Sequence, residues 1–309
     1  MADTILLECC KISPPHNANV AEYSLPVVFF DMLFYEIPPN KSVLFFKFPC
    51  SKSHFLETIV PNLRKSLSST LRHFLPLVGT ISHSKNGKDK PISRYVSGDS
   101  VCFTVCESKS DLNHLTGNHP RICDEFYSFT PDLPPATTNL DLSSISRPVL
   151  AVQVTLFPGQ GVSIGFVTHH VMADASTVVS LMKAWSLINV LDDDDEKTTR
   201  LLLEEANCLP FFDRKNVVDF NGLDSIYWDV LLGKVSSPLE PPPLKFPTGK
   251  IRSTFVLKKE EIQNLKKYVS SNRPQTALTK IMIIIIIILT SKLTSRRPIV
   301  YFKISKTYK

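Results

Sequence analysis

Basic residues never gather into a block interleaved with aromatics in this chain, which excludes a nucleic-acid-binding surface of the usual kind. The net charge of +6 is spread along the sequence, and its mild pull would act on a small phosphorylated or carboxylated molecule. No pair of CxxC motifs occurs, and the seven cysteines are an odd number, so neither a zinc framework nor a disulfide framework is indicated. The opening stretch, MADTILLECCKISPP, has neither the basic start nor the long apolar stretch of a signal peptide. These absences point to a reducing, cytoplasmic setting with free thiols. The apolar run Ile281–Leu289 is well short of the roughly 20 residues a membrane span requires, so no membrane partner is expected. The single GxSxG string, GVSIG at 161–165, lies inside a strand-like stretch and not at a strand-to-helix elbow, which argues against a serine-hydrolase mechanism with a covalent intermediate.

What is present is ordinary globular material: 309 residues, 43% hydrophobic and 21% charged, enough for two domains or one large one. The stretches 24–30 and 43–48 read as short buried strands, and 92–98 and 100–107 as two more. Leu56, Ile59, Leu63, Leu67 and Leu71 recur at three or four residues, the period of a helix from about Phe55 to Phe74. Pro76 and Gly79 mark its stop. Residues 148–157 and 162–169 are strand-like and separated by the turn signal PGQG, which predicts a hairpin. A helix follows over 176–188, with Val178, Met182, Trp185 and Ile188 on one stripe. DDDDE at 192–196 opens a polar loop, and the Pro-rich stretch 198–249 reads as a linker or crossover. A strand at 250–257 and an amphipathic helix at 258–271 resume the pattern.

The junction from strand to helix carries VTHHVMADAST, residues 167–177. Neighbouring residues on a strand face opposite ways, so His169 and His170 are badly placed to share an ion, and no third ligand lies nearby; no metal is expected. Two readings of His170 and Asp174 stay open from spacing alone. In one, His170 is a satisfied core histidine and Asp174 caps the helix near Ser176. In the other, His170 faces a cavity at the strand end as a general base, a role suited to a group that titrates near neutrality.

HHVMAD resembles the HxxxD motif of the plant BAHD acyl-CoA-dependent acyltransferases, with His170 and Asp174 at its fixed positions. FFDMLF (29–34), SLSSTLRHFLPLVGTI (66–81), YVSGDSV (95–101), GNHPRICDEFY (117–127) and VTLFPGQGVSIGFVTHH (154–170) resemble the same family in the expected order. The similarity spans roughly 5–275 and is nearest to the branch that acylates anthocyanin and other phenolic glucosides. The resemblance implies an α/β fold of two chloramphenicol acetyltransferase-like lobes joined by a long crossover. The active site would lie in a channel between the lobes, reached by an acyl-CoA donor from one side and a phenolic glucoside acceptor from the other. It implies that His170 is the catalytic base, and that Asp174 is structural and turned toward an arginine, for which Arg252 is the candidate. It also implies a cytoplasmic monomer without resident cofactor or metal, acyl-CoA being a co-substrate that brings a malonyl or hydroxycinnamoyl group.

The sequence departs from the family in three places. Ala175 follows the motif aspartate where many members have glycine. Neither a DFGWG string nor a YFGNC-like string occurs. From about 276 the chain is atypical, with six consecutive isoleucines, Ile283 to Ile288, that carry no binary pattern. The expected organisation is therefore a complete first lobe over 1–197 carrying HxxxD, a crossover linker over 198–249, and the start of a truncated second lobe over 250–309. The competing expectation is a truncated fragment without enzymatic function.

Overall fold

The computed structural model describes residues 4–15, 21–84, 87, 89–139, 144–191, 196–235, 248–256, 260–264, 267 and 299–303. The chain divides into two compact units, a larger one of Asp3–Ser110 and Phe129–Lys245 and a smaller one of Asp111–Ser128 and Phe246–Lys309 with Met1–Ala2.

The larger unit begins with β1 (Thr4–Ile12), β2 (Glu22–Pro26), the single turn α1 (Phe29–Met32) and β3 (Asn40–Phe46). A helical stretch follows as α2 (Lys52–His54), a π-turn (Phe55–Ile59) and α3 (Val60–Leu71), then α4 (Leu75–Val78), β4 (Thr80–Ser84), β5 (Ile92–Val96) and β6 (Val101–Ser108). In the smaller unit α5 (Leu112–Thr116) precedes β7 (Arg121–Ile122). The larger unit resumes with β8 (Thr137–Asn139), β9 (Ser144–Pro148), β10 (Leu150–Phe157), β11 (Gly161–Thr168), α6 (Ala175–Leu191), α7 (Glu196–Glu205) and α8 (Leu223–Val235). The smaller unit ends with β12 (Ile251–Val256) and β13 (Ile299–Lys303).

Two five-stranded sheets build the larger unit, in the orders β1-β6-β10-β11-β3 and β2-β5-β4-β9-β8. Strand β10 is buried along its whole length and β11 nearly so, because both lie inside the first sheet with neighbours on each side. Both are mainly apolar and carry the buried polar residues Gln153, Thr155, Ser163 and Thr168, in contrast to the alternating exposure of the edge strand β3. Helices α3 and α6 pack together: the Trp185 indole donates to Ser66 Oγ at 2.9 Å, and Ser66 donates to Asn189 Oδ1 at 2.9 Å. Trp185 also stands edge-on to Phe166 of β11, with ring centroids 6.0 Å apart, which ties the helix pair to the sheet. In the smaller unit, β12 pairs parallel with β13 and antiparallel with β7.

The structure refines several sequence readings. The helix expected from Phe55 starts at Lys52, capped by Ser51, whose hydroxyl accepts the His54 amide at 3.2 Å. It widens to a π-turn at Phe55–Ile59, where the Val60 amide reaches back to Phe55 O. Pro61 comes next and has no N–H to continue an ordinary ladder, and the wide turn accommodates that gap. The strand read over 24–30 ends at Pro26, and its last apolar residues belong to α1. Strand β1, in the opening stretch of the chain, is an additional strand. Helices α7 and α8 lie in the stretch read as linker. Most of the helix expected over 258–271, the acidic run at 192–195 and the isoleucines Ile283 to Ile288 lie outside the described residues.

Candidate active site

The β10–β11 hairpin delivers the histidine pair. Its turn spans residues 158–160, with the Gln160 amide bonded to Phe157 O at 2.9 Å and Gly159 at φ 69°, in the left-handed region that favours glycine. That turn pairs Phe157 with Gly161 and carries the register through to Leu150 opposite Thr168. One further bond, His169 N–H to Val149 O at 2.8 Å, extends the ladder past the strand end. The chain then turns sharply: the Met172 amide donates to His169 O at 3.1 Å, and the Val171 amide to His169 Nδ1 at 3.4 Å.

The two histidines, just past the end of β11, have different surroundings. His169 is only 5% exposed and faces Tyr35, itself 1% exposed, with ring centroids 6.1 Å apart. Burial, then the nearby Arg147 guanidinium, then His170, push the His169 imidazole down to about 4, so it is neutral at physiological pH. With Nδ1 accepting from Val171, its proton is assigned to Nε2. The guanidinium of Arg147 lies 5.0 Å over the Tyr35 ring and 3.7 Å from Glu36 Oε1. Tyr35 also meets His83 and Trp228 edge-on, each at 5.9 Å, and the Trp228 indole donates to Gly87 O at 3.0 Å.

His170 is partly exposed, and its ring stacks on Phe34 with centroids 4.1 Å apart and planes 14° from parallel. Its Nδ1 is buried and has no hydrogen-bond partner. Asp174 does not supply one. Its Oδ1 accepts the Thr177 amide at 2.7 Å and the Thr177 hydroxyl at 2.8 Å, and its carbonyl accepts the Val178 amide at 3.1 Å, so Asp174 is the N-cap of α6. His170 and Asp174 therefore share one strand–helix junction without a His–carboxylate hydrogen bond of the triad kind.

Arg252 lies on β12 in the smaller unit, its guanidinium 4.6 Å over the Phe126 ring. Arg121 stands 5.5 Å over the same ring and donates to Thr254 Oγ1 at 2.6 Å. Burial, then Arg252, lower the Arg121 value from its usual range. Among the described residues no group of three or more His, Cys, Asp or Glu is arranged to hold a metal ion, and no helix is long and apolar enough to cross a membrane. Phe34, Tyr35, Arg147 and Trp228 are the site residues that spacing did not mark. The one signal for the first two is the aromatic density of FFDMLFYE.

Residues 12–285 match the sequence model of the transferase family. Among curated proteins, the chain is 41% identical over 263 residues to a malonyl-coenzyme:anthocyanin 5-O-glucoside-6'''-O-malonyltransferase of Salvia splendens, covering 85% of this chain and 55% of that protein. It is 36% identical over 277 residues to phenolic glucoside malonyltransferase 1 of Nicotiana tabacum, covering 87% and 57%. It is 34% identical over 272 residues to a coumaroyl-CoA:anthocyanidin 3-O-glucoside-6''-O-coumaroyltransferase of Arabidopsis thaliana, covering 86% and 56%. The chain spans about half the length of the curated relatives it matches. Among solved structures, vinorine synthase superposes with a TM-score of 0.52 at 18% identity, over 92% of this chain and 58% of that one, a likeness of fold.

Proposed function

This chain belongs to the transferase family, the BAHD acyltransferases its motifs resemble, and on that premise we propose that it carries the base-bearing half of an acyl-CoA-dependent O-acyltransferase. The acceptor is a hydroxyl of a phenolic or flavonoid glucoside, and the group moved is malonyl or hydroxycinnamoyl. The observation that carries the reading is His170 itself. It is a partly exposed imidazole at the end of a buried hairpin, at the family's motif position. With Nδ1 sealed, Nε2 is the nitrogen assigned to the acceptor.

In the proposed reaction, His170 Nε2 takes the proton from the acceptor hydroxyl as its oxygen attacks the thioester carbonyl carbon. The tetrahedral adduct collapses with cleavage of the C–S bond. The imidazolium returns the proton to the departing thiolate, leaving an ester and free CoA. The acceptor is the nucleophile throughout, so no acyl-enzyme forms and no metal or resident cofactor takes part. Asp174 serves through its cap, which fixes the first turn of α6 directly after the histidine pair. The lobe at 1–197 supplies the base, and the protein works as a cytoplasmic monomer. For Arg252, the proposed role remains structural.

The test is thioester cleavage with malonyl-CoA and coumaroyl-CoA and a glucosylated anthocyanin as acceptor. It is run on the 309-residue chain and on the same chain extended by the remaining length of a relative. His170→Ala is expected to lower the rate by about 10²–10⁴-fold, the loss typical of a general base. Cleavage that proceeds at an equal rate without His170 overturns the assignment.

A further inference from the structure

Two adjacent aromatics meet the two adjacent histidines. Tyr35 faces His169 and Phe34 stacks on His170. We propose that Phe34 is a positioning residue for the proposed base, its ring fixing the plane of the His170 imidazole in place of a hydrogen bond. This rests on the reading of His170 as base.

The argument starts from what does not hold the ring. A histidine that must meet a hydroxyl with one nitrogen is commonly steered through the other, by a carboxylate or carbonyl. Here the other nitrogen, Nδ1, is buried without a partner. The carboxylate nearest in sequence, Asp174, is occupied by Thr177. Rotation about the Cβ–Cγ bond is soft and roughly two-fold, so an imidazole without polar contacts is poorly defined in angle. A near-parallel neighbour at 4.1 Å removes that freedom, because turning the imidazole drives its edge into the Phe34 face.

Phe34 is in turn well anchored. It follows α1, and its amide bonds Asp31 O at 3.0 Å, while the Tyr35 amide bonds Met32 O at 3.1 Å. Asp31 pairs with Arg214 at 3.2 Å, and the Phe29 amide donates to Asp224 Oδ1 at 2.6 Å at the start of α8. Tyr35, buried against His169, His83 and Trp228, plants the next residue in the core. Phe34 thus projects from a backbone fixed on both sides, as a positioning group must.

The experiment follows the His170 ring directly. The 309-residue chain is labelled with ring-¹³C histidine, and the His170 Cε1–Hε1 resonance is identified by its loss in His170→Gln. Stacked on Phe34, this resonance is expected upfield of the position of a solvated histidine. In Phe34→Leu it moves back downfield while the other histidine resonances hold, and in Phe34→Trp the upfield shift is restored. In parallel, kcat is expected to drop by up to about 10²-fold in Phe34→Leu with little change in KM for acyl-CoA, and to recover in Phe34→Trp. A His170 resonance unmoved in Phe34→Leu, with cleavage intact, overturns the role of Phe34 alone. Cleavage in the extended chain that runs at an equal rate with and without His170 overturns the base assignment and the positioning role together.

Discussion

One oxygen of Asp174 accepts both polar hydrogens that Thr177 offers, the amide at 2.7 Å and the hydroxyl at 2.8 Å. The motif aspartate is thereby committed to the first turn of α6. Burial pushes its carboxyl up, but the two Thr177 bonds, the Ser176 amide and the neighbouring His170 outweigh burial and hold it below the usual carboxylate range. A carboxyl depressed on folding stabilises the folded chain above its unfolded value, near pH 4, and loses that contribution as pH falls through the lower folded value. Asp174→Ala is expected to cost about 1 kcal/mol in urea unfolding at neutral pH, and the gap to narrow on acidification. Asp174→Asn keeps an acceptor oxygen and should cost less; an Asn variant as unstable as the Ala one would contradict the cap.

His169 predicts a loss of stability in the same direction but at milder pH. Its folded value of about 4 lies below the ordinary histidine value. Between about pH 6.5 and 4 the unfolded chain binds a proton that the folded chain refuses, so stability falls as pH is lowered through that window and levels off below it. The loss is on the order of 3 kcal/mol. His169→Asn should be less stable at pH 7, where the buried ring is missed, yet show a flatter pH dependence. An unchanged slope would place the titrating group elsewhere.

Strand β11 has no room for a side chain at Gly165. A Cβ built there comes 2.1 Å from Phe129 O and 3.0 Å from Thr130 Cα, both backbone atoms that no rotamer change moves aside. Gly165→Ala is expected to destabilise by about 1–3 kcal/mol in chemical denaturation. It should also slow acyl transfer, because the displaced strand is the one that delivers His170. A Gly165→Ala protein with wild-type stability would show that the two backbones separate freely.

The pair Asp31–Arg214 offers a coupling test. Burial raises the Asp31 carboxyl, and Arg214 opposes the rise. Arg214→Ala strands a mostly buried carboxylate and should cost roughly 1.5–3 kcal/mol. Asp31→Asn should then cost less in the Arg214→Ala background than alone, a coupling readable in a double-mutant cycle of unfolding free energies. Strict additivity would mean the two side chains act independently.

The hairpin and α6 were the most legible parts of the sequence, because their signals are local. PGQG specifies the turn, the mainly apolar, β-branched runs on either side of it specify the strands, and the stripe Val178–Met182–Trp185–Ile188 specifies the helix. His170 and Asp174 came with them, since both sit on that one stretch. Helix α8 was not legible: apolar residues surround its circumference, leaving no stripe, and a Pro-rich stretch follows. Strand β2 and α1 ran together in the reading because SLPVVFF has no period to separate them. Phe34, Tyr35 and Trp228 were invisible as site residues for a different reason: Phe34 and Tyr35 reach the histidines, and Trp228 reaches Tyr35, by tertiary contacts of which spacing within one element carries no trace.

That last property sets an order of assembly. The β10–β11 hairpin closes over three turn residues, an event of microseconds. The aromatic wall beside it waits on distant closures, including the bond between Phe29 and Asp224, 195 residues apart. Long closures carry the larger entropic cost and come late. On a ribosome, the HxxxD stretch emerges and turns well before the α8 segment that braces α1 has been made. Refolding followed at Trp228 should therefore lag refolding followed by hairpin hydrogen exchange, with the histidine pair formed early and its ring geometry set last.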